Sequence, residues 1–255
     1  MIDTGKDVII NDAAGARWLR LARPDKKNAL TVAMYAALAD AIESAQMRDD
    51  VAAIVFAAEG TAFTAGNDLG DFMRNPPAGF DSPVFRFLRA IAHSSLPLIA
   101  AVPGAAVGIG TTMLLHCDFV YATPNAKFVL PFVDLGLVPE AASSLLLPRA
   151  IGNLKAAAML YLGEPLSAQD ALALGLISAI VGPHELEATA AATAAALAAK
   201  PRAALLATRK LVRGGVEEVE KRMLAEGEVF RQQLASPEAQ KAFAAFFQTR
   251  AARPS

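Results

Sequence analysis

The chain has 255 residues, 54% of them hydrophobic, with 24 basic and 25 acidic side chains and a formal net charge of −1. That balance leaves no basic field for nucleic acid or for an anionic membrane surface. The single cysteine, Cys117, excludes an internal disulfide and fits a reducing compartment. The length allows one large domain or two small ones. Met1 to Asn11 carries Asp3 and Asp7 and no apolar core long enough for a signal peptide. With the alanine richness, this makes a cytoplasmic protein the expectation.

In chain order, Asp7 to Asn11 and Ala16 to Leu21 alternate like an antiparallel pair joined by a turn at Asp12 to Gly15. Arg23 to Asn28 is a polar loop. Thr31 caps a helix that runs to about Met47, with Met34, Leu38, Ile42 and Ala45 on one face. Val51 to Ala58 is a short β-branched apolar run and reads as a buried strand. The turn around Gly66 follows, with Asn67 or Asp68 as the cap of a second helix. Asn75 to Ser82 is a breaker cluster, and Val84 to His93 is helical. Leu98 to Val102 is a buried strand, Gly108 to His116 a buried helix and Phe119 to Ala122 another strand. Phe128 to Leu137 reads as loop and short extended structure, and Pro139 starts a helix through Leu147. After about Asn153 the pattern becomes helical, interrupted by a strand at Leu176 to Val181. Its helices lie at Leu154–Leu162, Ser167–Leu174, Glu185–Ala199, Pro201–Arg213, Val216–Leu234 and Pro237–Arg250. The strand–turn–helix rhythm of the first part predicts an α/β layer with its site at strand C-terminal ends.

No Asp, Glu, Lys or Arg occurs from Ala90 to Cys117, which is long enough to suggest a membrane span. Pro97, Pro103, Gly104, Gly108 and Gly110 interrupt the stretch, so a lipid-exposed helix there would leave backbone groups unpaired. Buried strand, turn and helix explain it better.

Few side chains invite chemistry. The histidines at 93, 116 and 184 have no partner at ligand spacing, so no metal is expected. Gly108-x-Gly110 after a strand suggests a dinucleotide turn. However, Met113 holds the third small position, Asp134 lies too far on for a ribose partner, and Pro103 breaks the turn. Glu140, in Val138-Pro-Glu-Ala141, reads first as a first-turn glutamate complementing a helix dipole. Its neighbours Leu135, Leu137, Val138, Ala141 and Ala142 are apolar, and desolvation there would raise its pKa toward neutrality and make it a proton shuttle.

Three motifs then align in order and spacing with one family. Ala62-Phe-Thr-Ala-Gly-Asn-Asp-Leu69, Gly104-Ala-Ala-Val-Gly-Ile-Gly110 and Leu135-Gly-Leu-Val-Pro-Glu-Ala-Ala-Ser-Ser144 resemble the crotonase superfamily of enoyl-CoA hydratases and isomerases. Arg23-Pro-Asp-Lys-Lys-Asn-Ala-Leu30 resembles its CoA-contacting loop, and Leu166 to Ile177 its later helix and strand. The resemblance covers about Ile9 to Arg250. It implies an α/β spiral of strand-strand-helix repeats over residues 1–195. It also implies a helical region at 196–255 that builds homotrimers or dimers of trimers. Phe230, Phe243, Phe246 and Phe247 exceed what a surface helix needs, so the helices from Pro201 onward are expected to bury apolar faces against neighbouring subunits. The substrate implied is an acyl-CoA thioester, coenzyme A being part of it rather than a separate cofactor. Its oxygen would be held by the N–H groups of Asn67 and Ile109, with contacts from Lys26, Lys27, Ala29, Ala65, Gly66, Asp68, Leu69, Gly108 and Phe132.

Typical hydratases of this family use two glutamates, and the matching positions here are Thr112 and Phe132. The Gly-Asn-Asp-Leu and Pro-Glu-Ala-Ala-Ser-Ser motifs are most similar to the peroxisomal-type 3-enoyl to 2-enoyl-CoA isomerases. In those enzymes one glutamate, matching Glu140, takes the C2 proton and returns it at C4. The resemblance therefore implies double-bond isomerisation in fatty-acid breakdown. The alternatives are a hydratase using Glu140 alone, a nicotinamide-dependent oxidoreductase and a non-catalytic CoA-ester-binding protein.

Overall fold

The computed structural model describes residues 2–3, 7–77 and 79–251. Its strands are β1 (Ile2–Asp3), β2 (Val8–Ala13), β3 (Ala16–Leu21), β4 (Ala53–Ala58), β5 (Ala62–Thr64), β6 (Leu98–Val102), β7 (Ala105–Val107), β8 (Phe119–Ala122), β9 (Lys127–Val129), β10 (Leu166–Ser167) and β11 (Ala179–Ile180). Between them lie α1 (Val32–Gln46), α2 (Leu69–Arg74), α3 (Pro83–Ala92), α4 (Ile109–Thr112), α5 (Ser143–Ile151), α6 (Asn153–Leu162) and α7 (Ala168–Ala173). The chain then finishes with α8 (Leu186–Ala198), α9 (Arg202–Val212), α10 (Val216–Leu234) and α11 (Pro237–Ala251).

Two mixed sheets result. The larger has the order β1-β2-β3-β4-β6-β8-β11, antiparallel among its first three strands and parallel from β3 onward. The smaller has the order β10-β9-β7-β5, and only its β10–β9 pair is antiparallel. Strand β4 shows why the large sheet is stable. Ile54 and Phe56 face the main core with α1 and α3, while Ala53, Val55 and Ala57 face Leu186, Ala190 and Ala194 of α8. Both faces are covered, so the strand is apolar throughout, as a parallel strand between helical layers must be. Burying a side chain such as Phe56 stabilises the fold by about 1.5–3 kcal/mol. The alanine-rich α8 lets helix and sheet approach closely on that outer face.

Local signals set the helix starts. The Thr31 side chain accepts from the Met34 N–H and opens α1, and Asp68 does the same for α2 through the Asp71 N–H. The polar loop expected at Arg23 to Asn28 holds a 3₁₀ turn, Pro24–Lys26. Three expectations need correction. The helix expected over Gly108–His116 is the four-residue α4 followed by a 3₁₀ turn, and β7 stands before it where only a turn was expected. The strand expected at Leu176 to Val181 pairs only over β11. The helix expected from Pro139 begins at Ser143, because Ala141 and Ala142 take left-handed φ values of 58° and 56° that a right-handed helix cannot contain. No helix among the described residues is long and apolar enough to cross a membrane.

Candidate active site

The small sheet builds the site by bringing the ends of two parallel strands side by side. After β5 the chain passes through Gly66 and Asn67, and after β7 it passes through Gly108 and Ile109. Gly66 is required at its position. Its φ is +85°, and a Cβ there would lie 3.0 Å from the Val107 carbonyl oxygen and 3.9 Å from the Gly108 nitrogen. The two turns are therefore in contact.

Each turn presents a free donor. Residues 66 to 68 pair with Leu30 as in a parallel ladder: Leu30 N–H donates to Gly66 O and Asp68 N–H donates to Leu30 O, both at 2.8 Å. Alternation along an extended segment then turns the Asn67 N–H to the opposite side. Ile109 opens α4, so its N–H precedes the first intrahelical bond. Among the described residues neither N–H has a hydrogen-bond partner. A carbonyl oxygen placed between them would be polarised from two sides, and most strongly as negative charge develops on it.

These groups line a cleft of about 800 Å³. Its mouth is formed by Lys26 and Lys27, and its apolar walls by Leu135, Leu137, Phe132 and Phe230, with Phe246 and Phe247 of α11 on the rim. The loop behind the lysines is fixed by Asn28, whose buried amide donates to Glu59 O and Ala62 O at 2.8 and 2.9 Å. Its oxygen accepts from the Arg23 N–H.

Glu140 lies in a second, inner cavity. It lines this small apolar space with Phe72, Val84, Phe85, Leu88, Met223 and Phe230, and Phe230 lines the main cleft as well. Gly227 of α10 forms part of the same wall, and a Cβ there would fall 2.3 Å from the Phe85 ring. The Thr112 hydroxyl, one turn after Ile109 in the chain, approaches Glu140 Oε1 at 3.5 Å. Glu140 is 7% exposed, and its carboxyl is pushed up to about 8. Burial is the main cause and the charge of Glu226 the second, partly offset by the Thr112 hydroxyl. A carboxyl in this state can both take and return a proton near neutrality.

The turn that carries Glu140 is strained. Two successive left-handed alanines cost roughly 1–2 kcal/mol each, so tertiary contacts must impose them. His116 Nε2 lies 2.8 Å from Ala141 O, and because a carbonyl only accepts, this nitrogen carries the proton. Burial pushes the His116 imidazolium down to about 4, so the ring stays neutral in ordinary conditions. Glu226 accepts from Ala142 N–H at 2.7 Å. Tyr35, fully buried in α1, donates to Asn67 Oδ1. Its phenol is raised well above its ordinary value by burial and then by the Glu140 charge, so it stays protonated and links the two parts of the site.

Asn67, Ile109, Lys26, Lys27, Ala29, Ala65, Gly66, Asp68, Leu69, Gly108 and Phe132 all line the one cleft. Glu140 faces the adjoining cavity instead. Glu140 is not in the first turn of a helix, since α5 begins three residues later. The dinucleotide turn lacks its geometry, because β7 of the other sheet separates β6 from Gly108. Phe230 and Phe243, expected to face neighbours, are buried within the chain at 5% and 2% exposure. Phe246 and Phe247 are half exposed on the cleft rim. Tyr35, His116 and Glu226 were not singled out from the sequence. For Glu226 a signal exists: it falls on the apolar stripe Val219, Met223, Phe230 of α10, where a carboxylate is out of place.

A family model described as enoyl-CoA hydratase/isomerase matches residues 12–253. The chain belongs to the enoyl-CoA hydratase/isomerase family. It is similar to the crystal structure of an enoyl-CoA hydratase/isomerase from Pseudoalteromonas atlantica T6c, with a TM-score of 0.91, 41% identity, and 98% of this chain and 100% of that one covered. The 1,2-epoxyphenylacetyl-CoA isomerase of Escherichia coli K12 is 36% identical over 196 residues, which are 73% of this chain and 74% of that protein. Enoyl-CoA delta isomerase 2 of Rattus norvegicus is 37% identical over 181 residues, 69% of this chain. The match spans about half of that relative, 46% of its length. Hydratases stand among the family relatives beside these isomerases.

Proposed function

We propose that this family member moves the double bond of a 3-enoyl-CoA ester to the 2-position, in fatty-acid breakdown. The thioester oxygen accepts from the N–H groups of Asn67 and Ile109. Glu140 removes a C2 proton, the electrons shift through the conjugated dienolate onto the thioester oxygen, and the proton returns at C4. Each backbone donor contributes on the order of 3 kcal/mol once the oxygen is negative. The CoA portion leaves through the mouth beside Lys26 and Lys27, and the acyl chain runs toward Phe230.

The observation that carries this reading is the solitary state of Glu140. Among the described residues it is the one carboxyl lining the inner cavity and its hydrogen-bond contact is the long approach of the Thr112 hydroxyl, and it is buried enough to exchange a proton near neutral pH. Thr112 and Phe132 occupy the positions where resemblance to hydratases implies glutamates, and neither can activate water. Shifting a double bond needs one proton carrier, whereas adding water needs groups to hold and deprotonate it.

The test supplies 3-enoyl-CoA and 2-enoyl-CoA esters over a range of chain lengths and separates the products. The expected result is interconversion of the two esters with little 3-hydroxyacyl-CoA. Hydration of 2-enoyl-CoA at a comparable rate would favour the hydratase reading. We also propose a trimer or a dimer of trimers, which light scattering at micromolar concentration checks.

A further inference from the structure

We propose that Glu226 of α10 is a positioning residue for Glu140, fixing the left-handed turn that aims the Glu140 carboxyl into the inner cavity. The proposal rests on Glu140 being the proton carrier.

The geometry is that of a cap supplied from a distant helix. Helix α5 has Ala142 at its N-cap and no side-chain cap of its own. The Glu226 carboxylate takes that place. One oxygen accepts the Ala142 N–H at 2.7 Å, and the other accepts the Ser144 N–H at 2.9 Å and the Ser144 hydroxyl at 2.5 Å. From the opposite side His116 Nε2–H holds Ala141 O. The two left-handed residues are thus gripped on both flanks, and Glu140 is the residue immediately before them. Glu226 itself is 7% exposed, so water does not supply these acceptors.

The groups that face Glu140 are few. They are Tyr35 from α1, the Thr112 hydroxyl from α4 and Glu226 from α10; neutral His116 holds the following carbonyl, and Arg222 lies beyond, on the Ser144 hydroxyl. Burial raises Glu226 above the ordinary carboxylate value, and three donors and Arg222 pull it back toward the charged form. Among the described residues Glu140 has one long hydrogen-bond contact, with nothing else to offset its burial. Of the two carboxyls, the proton therefore resides on Glu140, and the Glu226 charge holds it there. A side chain that merely capped α5 would have no hold on that proton.

The test uses the full chain with Glu226→Gln, Glu226→Asp and Glu140→Gln. The Glu140 carboxyl is titrated by difference infrared spectroscopy, its band assigned by its loss in Glu140→Gln, beside the pH profile of kcat and thermal unfolding. A glutamine has one acceptor oxygen, and its NH₂ would confront an N–H. We expect Glu226→Gln to lower kcat about a hundredfold through misplacement and to shift the Glu140 midpoint down by about one unit. KM should change little. Glu226→Asp keeps the charge and so should restore the midpoint without restoring kcat fully. If only the Asp variant folds, a wild-type midpoint with reduced kcat supports the proposal, and any other pairing overturns it. In a folded Gln variant, wild-type kcat or an unmoved midpoint overturns it. Near-wild-type activity of Glu140→Gln would instead remove the base assignment. The infrared titration would still report whether Glu226 governs the Glu140 proton.

Discussion

The two walls of the site are built on opposite principles. The wall with Asn67 and Ile109 is made of backbone: two strand ends in one small sheet bring two N–H groups together, and no side chain supplies the donors. The wall with Glu140 depends on a single side chain, set on a strained turn that distant elements hold in place. The first wall tolerates most sequence change as long as the sheet forms and Gly66 stays small. The second can be lost through one substitution, or through residues that never touch a substrate. A reaction needing only a polarised carbonyl could run on the first wall alone, while proton transfer brings in the second.

The largest expected effect comes from removing the second wall's chemistry and leaving its shape. Glu140→Gln should lower kcat roughly a thousandfold or more, with CoA-ester affinity within a few-fold of wild type, as steady-state kinetics and calorimetry would measure. The same variant should no longer exchange the C2 proton of a saturated acyl-CoA with solvent deuterium. Near-wild-type turnover would mean that another group moves the proton.

The backbone wall is tested by Gly66→Ala. The added Cβ meets the Val107 carbonyl and forces an unfavourable φ, so the two donors separate. A loss of about a hundredfold in kcat is expected, the scale of one misplaced oxyanion donor, while the Glu140 midpoint stays unchanged. A displaced midpoint would show that the two walls are not independent.

A third prediction concerns stability. The Glu140 carboxyl lies near 4.5 in the unfolded chain and about 8 in the folded one. Between those values the folded protein retains a proton that the unfolded chain has lost, so stability falls as pH rises through the window. The full penalty, on the order of a few kcal/mol, applies above about pH 8. Glu140→Gln removes it. The Tm difference between variant and wild type should therefore grow between pH 5 and pH 9, by about 2–4 °C per kcal/mol at this chain length. A pH-independent difference would contradict a buried, proton-retaining carboxyl.

The smallest effect belongs to the mouth of the cleft. Replacing Lys26 and Lys27 with alanine should raise KM several-fold and leave kcat nearly constant, as loss of uniform binding does. A fall in kcat at constant KM would place these lysines elsewhere in the cycle.

The same contrast governs what could be read from the sequence. Strands β4 and β6 and the cap at Thr31 are legible because each rests on a local pattern, and the cleft residues from Lys26 to Ile109 because they fall in contiguous motifs; Phe132 was reached only through the resemblance to hydratases. The three-residue strands β5, β7 and β9 are too short to show alternation, and a turn was expected where β7 stands. Glu140 could be picked out by its apolar neighbours. Its turn could not, because nothing local to Ala141 and Ala142 asks for positive φ. The cause lies in His116 and Glu226, both remote in sequence. Glu226 alone left a trace, as a charge on the apolar stripe of α10.

Helix α10 also bears on how this enzyme can diverge. Within two turns it carries Met223, Glu226, Gly227 and Phe230, so part of the inner-cavity wall and the carboxylate that accepts from the Ala142 N–H share one helix. Gly227 leaves no slack against the Phe85 ring, so enlarging that residue to shorten the pocket would require the ring or the helix to shift. Under the proposed function, a lineage changing its acyl preference on this face would alter the proposed proton-transfer machinery in the same step. Substitutions that tune selectivity without that cost are expected on α3, at Val84 and Leu88, where the inner cavity can be reshaped with the Glu226 carboxylate left in place.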